Sequence, residues 1–300
     1  MLLNKIAAHK SATPNQDGAG CHEALHMNRA WQGTLSIDML PVPKLYLRNP
    51  ALCGNAMQML ITKIPYSFFI TLNIPFMKTK QLAKKAKQLQ TLETPEALWH
   101  IAKTTEYKAT LLMQHPPYNV FTVPKRNGTQ RLIEDPSDEL KAIQKNISSY
   151  LQPLYYFYKT PAAYGYIIKP KDDDELRNIV TAAKKHSTNN YLLNIDIKDF
   201  FHYVSWQNIY RSLTAVPFSL HHSVAESICH LCTLNGRLPM GAPSSPALSN
   251  IVAFELDNEI QNYCNGEGII YTRYVDDMSF SSDAEITGRH FTQLSGIVTG

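Results

Sequence analysis

Apolar residues recur at helical spacing in several parts of the chain, and each of these segments predicts an amphipathic helix. Residues 77–90 carry five lysines and no acidic residue, with an apolar face formed by Leu82, Ala86 and Leu89. A second helix is predicted from Pro95 to about residue 103, because Thr94 suits the N-cap and proline the first helical position. Further helices are predicted in four segments: residues 205–215, residues 220–234, and the stretches after Ser137 and after Pro246.

Alternation of apolar and polar residues predicts a hairpin in the middle of the chain. Strands are predicted over residues 118–123 and 129–134, and Asn127-Gly128 lies between them. An Asn-Gly pair favours the tight turns that join two antiparallel strands, because both of its residues tolerate a positive φ. Lys125 before this turn and Arg131 after it are both cationic.

A second group of strands is rich in apolar residues. The strand predicted over residues 191–197 contains Asp196 near its end. Strands over residues 269–274 and 278–282 are separated only by a short turn that contains Asp276-Asp277. The pattern therefore predicts a tight hairpin with two adjacent acids at its tip.

The first 76 residues show no sustained helical or strand period. We hypothesise that the native start is Met77 and that residues 1–76 are a translated leader or a poorly ordered extension. The alternative is a genuine, divergent N-terminal region. The predicted organisation is thus an uncertain extension over residues 1–76, a helical segment over 77–117, and a main unit over 118–300.

Composition is that of an ordinary globular protein. The chain has 300 residues, of which 44% are hydrophobic and 18% charged, and its formal net charge is +4. This mild basic excess suits a nucleic-acid partner without requiring one. Residues 51–76 are rather apolar, but Lys63, Pro65 and Pro75 interrupt them, so no membrane span is predicted.

The cysteines indicate a cytoplasmic protein with reduced thiols. Their number is five, which is odd, and their spacing suggests no disulfide framework. Cys229 and Cys232 form a C-x-x-C motif, but no second ligand pair stands at a spacing suitable for zinc. We interpret them as packed residues on one helix face.

The three acids at strand ends point to a metal site. Asp276 and Asp277 are adjacent like charges, which are unfavourable unless a cation neutralises them. Asp196 follows an apolar strand, where a carboxylate is costly without a partner. Mg²⁺ accepts carboxylate ligands and leaves positions for water and phosphates. It would therefore relieve the repulsion between Asp276 and Asp277 and also give the Asp196 carboxylate a partner. The alternative is a pair of unrelated solvated turns.

Three motifs in order resemble those of reverse transcriptases. Motif A is matched by residues 196–201, which read DIKDFF. Motif B is matched by residues 238–246, LPMGAPSSP, and by the later Asn250. Motif C, the YxDD box, is matched by residues 274–277, which read YVDD. The amino-acid sequence around motifs B and C resembles that of bacterial retron-type enzymes.

The resemblance implies a fold and a reaction. The expected fold is α+β, a right-hand polymerase palm with a fingers subdomain and a thumb that is missing or incomplete. Asp196, Asp276 and Asp277 would be the catalytic carboxylates and would hold two Mg²⁺ ions. The reaction would be RNA-directed DNA synthesis, with an RNA template, a DNA or RNA primer and dNTPs as partners. A retron enzyme also implies a structured non-coding RNA as partner and a role in antiviral defence.

The resemblance also assigns substrate contacts. Lys125 and Arg131 would grip the triphosphate, and Phe201 would be a steric gate that rejects a 2′-hydroxyl. Gly241 would allow close approach of the nucleotide and template. Without the motifs, Lys125 and Arg131 would be interpreted as ordinary surface charges, and Phe201 as a core aromatic residue. Of the two adjacent phenylalanines, we predict that Phe200 is the core residue.

Four features depart from the family pattern. Met240 occupies the usual place of a motif B glutamine. Of the retron signature Asn-Ala-x-x-His, this chain keeps only Ala183 and His186. Retron enzymes also carry a Val-Thr-Gly triplet well after motif C. The triplet at 298–300 comes too soon after Asp277, so we treat it as coincidence. No motif D lysine is visible, and Gly300 follows motif C closely, so we expect a truncated product or fragment.

Two other functions stay open on the sequence alone. One is a non-catalytic RNA-binding remnant, which would keep the basic helix over residues 77–90. The other is a template-independent nucleotidyl transferase that uses the same carboxylates. Template dependence separates the second from a reverse transcriptase.

Overall fold

The structure is a computed structural model that describes residues 37–41, 77–125 and 128–299. It has mixed α/β architecture, as the sequence predicts. Three helices come first: α1 (Thr79–Gln90), α2 (Pro95–Ala102) and α3 (Glu106–Gln114). A two-stranded hairpin, β2 (Tyr118–Pro124) and β3 (Gln130–Pro136), leads into the long helix α4 (Asp138–Tyr158).

The second half alternates short helices with the strands of a larger sheet. Helix α5 (Ile179–His186) precedes strand β4 (Tyr191–Asp196), and α6 (Phe200–Tyr203), α7 (Trp206–Thr214) and α8 (His222–Cys232) follow it. Helix α9 (Ser245–Gly266) then leads to β5 (Ile270–Tyr274), β6 (Asp277–Ser282) and α10 (Gly288–Thr299). The predicted helices and strands are confirmed within a few residues, whereas α3, α5, α6 and α10 were not predicted.

The larger sheet is antiparallel throughout. Its strand order is β1-β4-β6-β5, where β1 is Ile37–Pro41. The predicted C-terminal hairpin is therefore confirmed, and the strand that carries Asp196 pairs with its second arm. This register brings Asp196 opposite Asp277. The core packs on this sheet and between the helices, with Leu151, Ile228, Leu248 and Phe280 fully buried.

Most of the N-terminal 76 residues lie outside the described part of the chain. The one described segment of this N-terminal region is β1, and all of its residues pair with β4. The hypothesis of a start at Met77 therefore remains a prediction, as does the membrane interpretation of residues 51–76. Among the helices of the described ranges, none is long and apolar enough to span a bilayer.

Local signals explain where the helices begin. The hydroxyls of Thr94, Thr105 and Ser137 accept hydrogen bonds from backbone N–H groups in the first turns of α2, α3 and α4. The predicted apolar face of α1 is buried, as expected. The cysteines in the described ranges, Cys229, Cys232 and Cys264, are free and buried, which fits the interpretation of the first two as packing residues.

His186 ties helix α5 to the sheet. Its Nδ1 lies 2.6 Å from the Ser281 hydroxyl and its Nε2 lies 2.7 Å from the Thr272 hydroxyl. Burial lowers the pKa of His186 to about 4. The imidazole is therefore neutral in the folded chain at pH 7.

A pH dependence of stability follows from this neutral histidine. In the unfolded chain His186 titrates near its ordinary pKa, so below about pH 6.5 the unfolded state binds the extra proton. We expect the free energy of unfolding to fall by about 2–3 kcal/mol from this group between pH 6.5 and pH 4. Urea unfolding across that range measures it. His186→Gln should show a shallower pH dependence, and equal slopes in both chains would contradict the assignment.

Candidate active site

The turn between β5 and β6 places two acids at the edge of the larger sheet. Val275 lies in the left-handed region, with φ of +65°, which is unusual for a β-branched residue. The backbone N–H of Ile197 donates to the Asp276 carbonyl at 3.1 Å. Together with the pairing of Asp196 and Asp277, this bond brings the ends of β4 and β6 together. The structure thus gathers the three predicted acids at one edge.

The acids influence one another electrostatically. Asp276 is half-buried, and its burial together with the carboxylates of Asp277 and Asp196 raises its pKa well above the ordinary value. Desolvation also raises the pKa of Asp196, while the charge of Lys125 opposes that rise and Asp199 adds to it. The three carboxylates therefore lie within electrostatic range of one another, and burial adds to the cost of charging them.

This concentration of charge fits a divalent cation. Carboxylate oxygens are the ligands that Mg²⁺ prefers, and a cation would relieve the repulsion among Asp196, Asp276 and Asp277. In the ranges that the structure describes, no three His, Cys, Asp or Glu side chains are gathered into a ready ligand shell. The backbone positions the acids, but their oxygens are not drawn together as they would be around an ion.

A buried ion-pair network holds the turn in place. Arg273, on β5, is 1% exposed and donates two hydrogen bonds to the Asp257 carboxylate, at 2.7 and 2.8 Å. Its Nη1 also donates to the Val275 carbonyl at 2.9 Å and to the Asn250 side chain at 3.1 Å. Hydroxyls of Tyr271 and Thr160 complete the shell of Asp257. The network therefore joins α9 to the residue before Asp276.

Gly165 supports the same turn from the other side. A Cβ at this position would lie 2.7 Å from both the Cγ2 and the N of Val275. The Asn250 side-chain amide donates to the Gly165 carbonyl at 2.9 Å. The left-handed Val275 is thus fixed by close packing as well as by Arg273, which is how a strained backbone persists.

Two cations of the β2–β3 hairpin, Lys125 and Arg131, influence the acids electrostatically. Gly128, with φ of +81°, forms the predicted turn, and its N–H donates to the Lys125 carbonyl at 3.0 Å. Asn127 lies outside the described residues. The charge of Lys125 opposes the rise in the pKa of Asp196, and the charge of Arg131 opposes the rise in the pKa of Asp276. Both predicted triphosphate contacts therefore lie within electrostatic reach of the carboxylates.

The remaining predicted residues pack around this edge. Phe200 and Phe201 are 2% and 8% exposed, so both belong to the core. Their burial therefore differs less than the assignment of one to the core and the other to the gate predicts. Gly241 has φ of +133°, and a Cβ there would lie 3.0 Å from the Glu134 carbonyl. Its close neighbour in the structure is thus β3, and its approach to a nucleotide remains a prediction.

Two groups of site residues were missed from the sequence. The first is the Arg273–Asp257 pair, and the second is Glu134 on β3, a carboxylate that is 2% exposed. One signal was available for both: a charged residue amid apolar neighbours must find a partner when buried. The partners lie far away in sequence, so the signal could not have named them.

Comparison with known proteins supports the motif assignment. Residues 123–295 match the family described as Reverse transcriptase (RNA-dependent DNA polymerase). Retron Ec83 reverse transcriptase from Escherichia coli is 30% identical over 174 residues, which cover 55% of this chain and 53% of that protein. Retron Mx65 reverse transcriptase from Myxococcus xanthus is 32% identical over 184 residues, covering 55% of this chain and 40% of that protein.

The matched relatives extend well beyond the aligned region. Retron Ec86 reverse transcriptase from Escherichia coli is 31% identical over 173 residues, or 56% of this chain and 49% of that protein. The chain therefore spans about half the length of these relatives or less. The matched region contains all three motifs and the β3 strand that carries Arg131 and Glu134.

Proposed function

Because this chain belongs to the reverse transcriptase family and is of the retron type, we propose that it extends a primer with deoxynucleotides by copying an RNA template. The primer 3′-hydroxyl attacks the α-phosphate of a dNTP and pyrophosphate leaves. The observation that carries this proposal is the meeting of Asp196, Asp276 and Asp277 at one sheet edge, within the electrostatic influence of Lys125 and Arg131.

The carboxylates would hold two Mg²⁺ ions. Such ions, when bound, stabilise the attacking and leaving oxygens of a phosphoryl transfer. Asp276 and Asp277 would present their oxygens from a turn that Arg273 and Gly165 keep rigid. Rigid support of this kind keeps reacting groups aligned, which is a large part of catalysis in phosphoryl transfer.

The hairpin cations would bind the triphosphate. Arg131 can donate to two phosphate oxygens at once, whereas Lys125 acts as a mobile point charge. Their charges also offset part of the repulsion between the carboxylates and the polyphosphate. Binding would therefore draw the β2–β3 hairpin and the acidic edge onto the same nucleotide.

Sugar selectivity would depend on Phe201. We expect Phe201→Val to reduce the preference for dNTPs over rNTPs by about 10- to 100-fold, because a smaller side chain leaves room for the 2′-hydroxyl. Single-nucleotide incorporation with each nucleotide type measures the ratio of kcat/KM values. Phe200→Leu, one residue earlier in the core, is the control and should keep the preference. If Phe201→Val left the ratio of kcat/KM values for dNTPs and rNTPs unchanged, the assignment of Phe201 as the steric gate would be wrong.

The exposed lysines of α1 would bind the phosphate backbone of the RNA. Lys80, Lys84 and Lys87 lie on the solvent side of this helix, which contains no acidic residue. We expect their joint replacement by Gln to flatten the dependence of log K on log salt by about two, since each phosphate contact to single strands contributes about 0.7. Filter binding at several salt concentrations measures the slope.

A matched control removes the same charge elsewhere. Lys108, Lys141 and Lys159 are each paired with an acid, and their replacement by Gln also removes three positive charges. The control should keep the slope of the unmodified chain. Equal slopes in both triple variants would show that net charge, and not α1, governs RNA binding.

Primer extension tests the proposed reaction. The chain is incubated with Mg²⁺, dNTPs and a labelled primer, either annealed to RNA, annealed to DNA or left single-stranded. We expect extension on the RNA template and none without a template. Extension of the single-stranded primer would instead show a template-independent transferase. RNA binding without any product would show a non-catalytic RNA-binding protein.

A further inference from the structure

Glu134 occupies a buried position between three segments of the site. Its side chain is 3% exposed and belongs to β3, three residues after Arg131. One carboxylate oxygen accepts hydrogen bonds from His202 Nε2 at 2.9 Å and from the Met240 backbone N–H at 3.1 Å. The other accepts from Arg237 Nη2 at 3.2 Å. Burial opposes ionisation, but these donors outweigh it and lower the pKa of Glu134 below its ordinary value.

The backbone reinforces the same contact. The Glu134 N–H donates to the Met240 carbonyl at 2.8 Å, so the two residues are joined both through their main chains and through the carboxylate. Gly241 comes next, and a side chain there would be strained, because φ is +133° and a Cβ would lie 3.0 Å from the Glu134 carbonyl. The loop around Met240 is therefore held against β3 at close range.

These contacts link the elements that we assign to the nucleotide. Strand β3 carries Arg131, the residue before His202 is Phe201, and the residue after Met240 is Gly241. The three segments come from distant parts of the chain and meet at one carboxylate. Without that carboxylate, two side-chain donors and one backbone donor would lose their common acceptor, and each such loss is costly in a buried setting.

We propose that Glu134 is a positioning residue for the deoxynucleotide site, which sets the triphosphate-binding strand, the sugar gate and the motif B loop at fixed distances from one another. This inference rests on the proposed function, because the three segments are assigned to the nucleotide there. Glu134 is not proposed to contact the nucleotide itself. It acts through His202, Arg237 and Met240.

The variant Glu134→Gln tests the proposal with a change of almost no volume. A side-chain amide presents one oxygen where the carboxylate presents two, and its NH₂ group would face donors. We expect KM for the dNTP to rise by about tenfold or more while kcat changes much less, because ground-state placement of the nucleotide is lost. The preference for dNTPs over rNTPs should fall in the same variant, since Phe201 loses its fixed distance.

Asp135→Asn is the matched control. It removes the same charge one residue away, from a side chain that pairs with Lys141 on α4. KM and sugar preference should stay at the values of the unmodified chain. A general electrostatic effect on nucleotide binding would instead raise KM in both variants.

Hydrogen exchange separates this proposal from the polymerase assignment. Peptides that contain Met240 should exchange faster in Glu134→Gln and not in Asp135→Asn, whether or not the chain makes DNA. Unchanged exchange, or a loss of kcat with KM unaltered, would overturn the positioning role. Faster exchange in a chain without any polymerase activity would uphold the coupling of the segments and refute the proposed function alone.

Discussion

Replacing Asp257 with Asn is expected to lower the free energy of unfolding by about 3–5 kcal/mol, because it leaves the buried Arg273 guanidinium without its counter-charge. Both residues are almost completely buried, at 0% and 1% exposure. Burial works against the charged form of Arg273, and the Asp257 carboxylate outweighs that effect and raises the pKa of the guanidinium. Urea denaturation of the purified chain gives the loss directly.

Two further variants sharpen this expectation. Glu255→Gln is the first, and it changes a residue on the same helix as Asp257. The Glu255 Oε2 lies 3.6 Å from the Arg211 Nη2 at the surface, and both side chains are about half-exposed. This substitution should change stability by less than about 1 kcal/mol. Asp257→Leu combined with Arg273→Met should be more stable than Asp257→Asn, since no buried charge remains. A small effect in Asp257→Asn would contradict the account of the turn.

The second large effect concerns the carboxylates themselves. Asp196→Asn, and likewise Asp276→Asn with Asp277→Asn, should lower kcat for nucleotide addition by at least about a thousandfold, which corresponds to roughly 4 kcal/mol of transition-state stabilisation. The fold should survive, because these acids lie at a solvent-accessible edge and an amide has nearly the same shape. Circular dichroism and RNA binding would verify that it does.

Asp199→Asn is the control for this loss. Asp199 is exposed, contributes to the same electrostatic field, and adopts φ of +51°, which asparagine tolerates well. Its activity should stay within about threefold of the unmodified chain, as is typical of surface substitutions. Equal activity of Asp196→Asn and Asp199→Asn would show that Asp196 holds no catalytic ion.

The sequence predicts the local structure of this chain well because its signals are local. Periodicity places α1, α4 and α9, the Asn-Gly pair marks the β2–β3 hairpin, and two apolar strands around Asp276-Asp277 mark the second. Short elements such as α6 were missed, since a single turn of helix has no period to detect. Strand β1 was missed because the segment around it lacks alternation.

The supports of the site could not be predicted in the same way. Arg273 and Asp257 are 16 residues apart, and Glu134 lies 106 residues from Met240, so each pair meets only through the tertiary fold. The role of Gly241 shows the same limit. The need for a glycine could be expected from the motif, but its contact with the Glu134 carbonyl depends on where β3 packs.

Single-nucleotide incorporation on RNA templates that differ at one position tests most directly whether this chain copies RNA. Four templates carry each base in turn at the first templating position, and each is offered one dNTP at a time with Mg²⁺ and an annealed primer. If the chain copies RNA, only the dNTP complementary to the RNA base is added. Addition that ignores the template base, or no addition by a chain that still binds RNA, would contradict RNA-directed DNA synthesis.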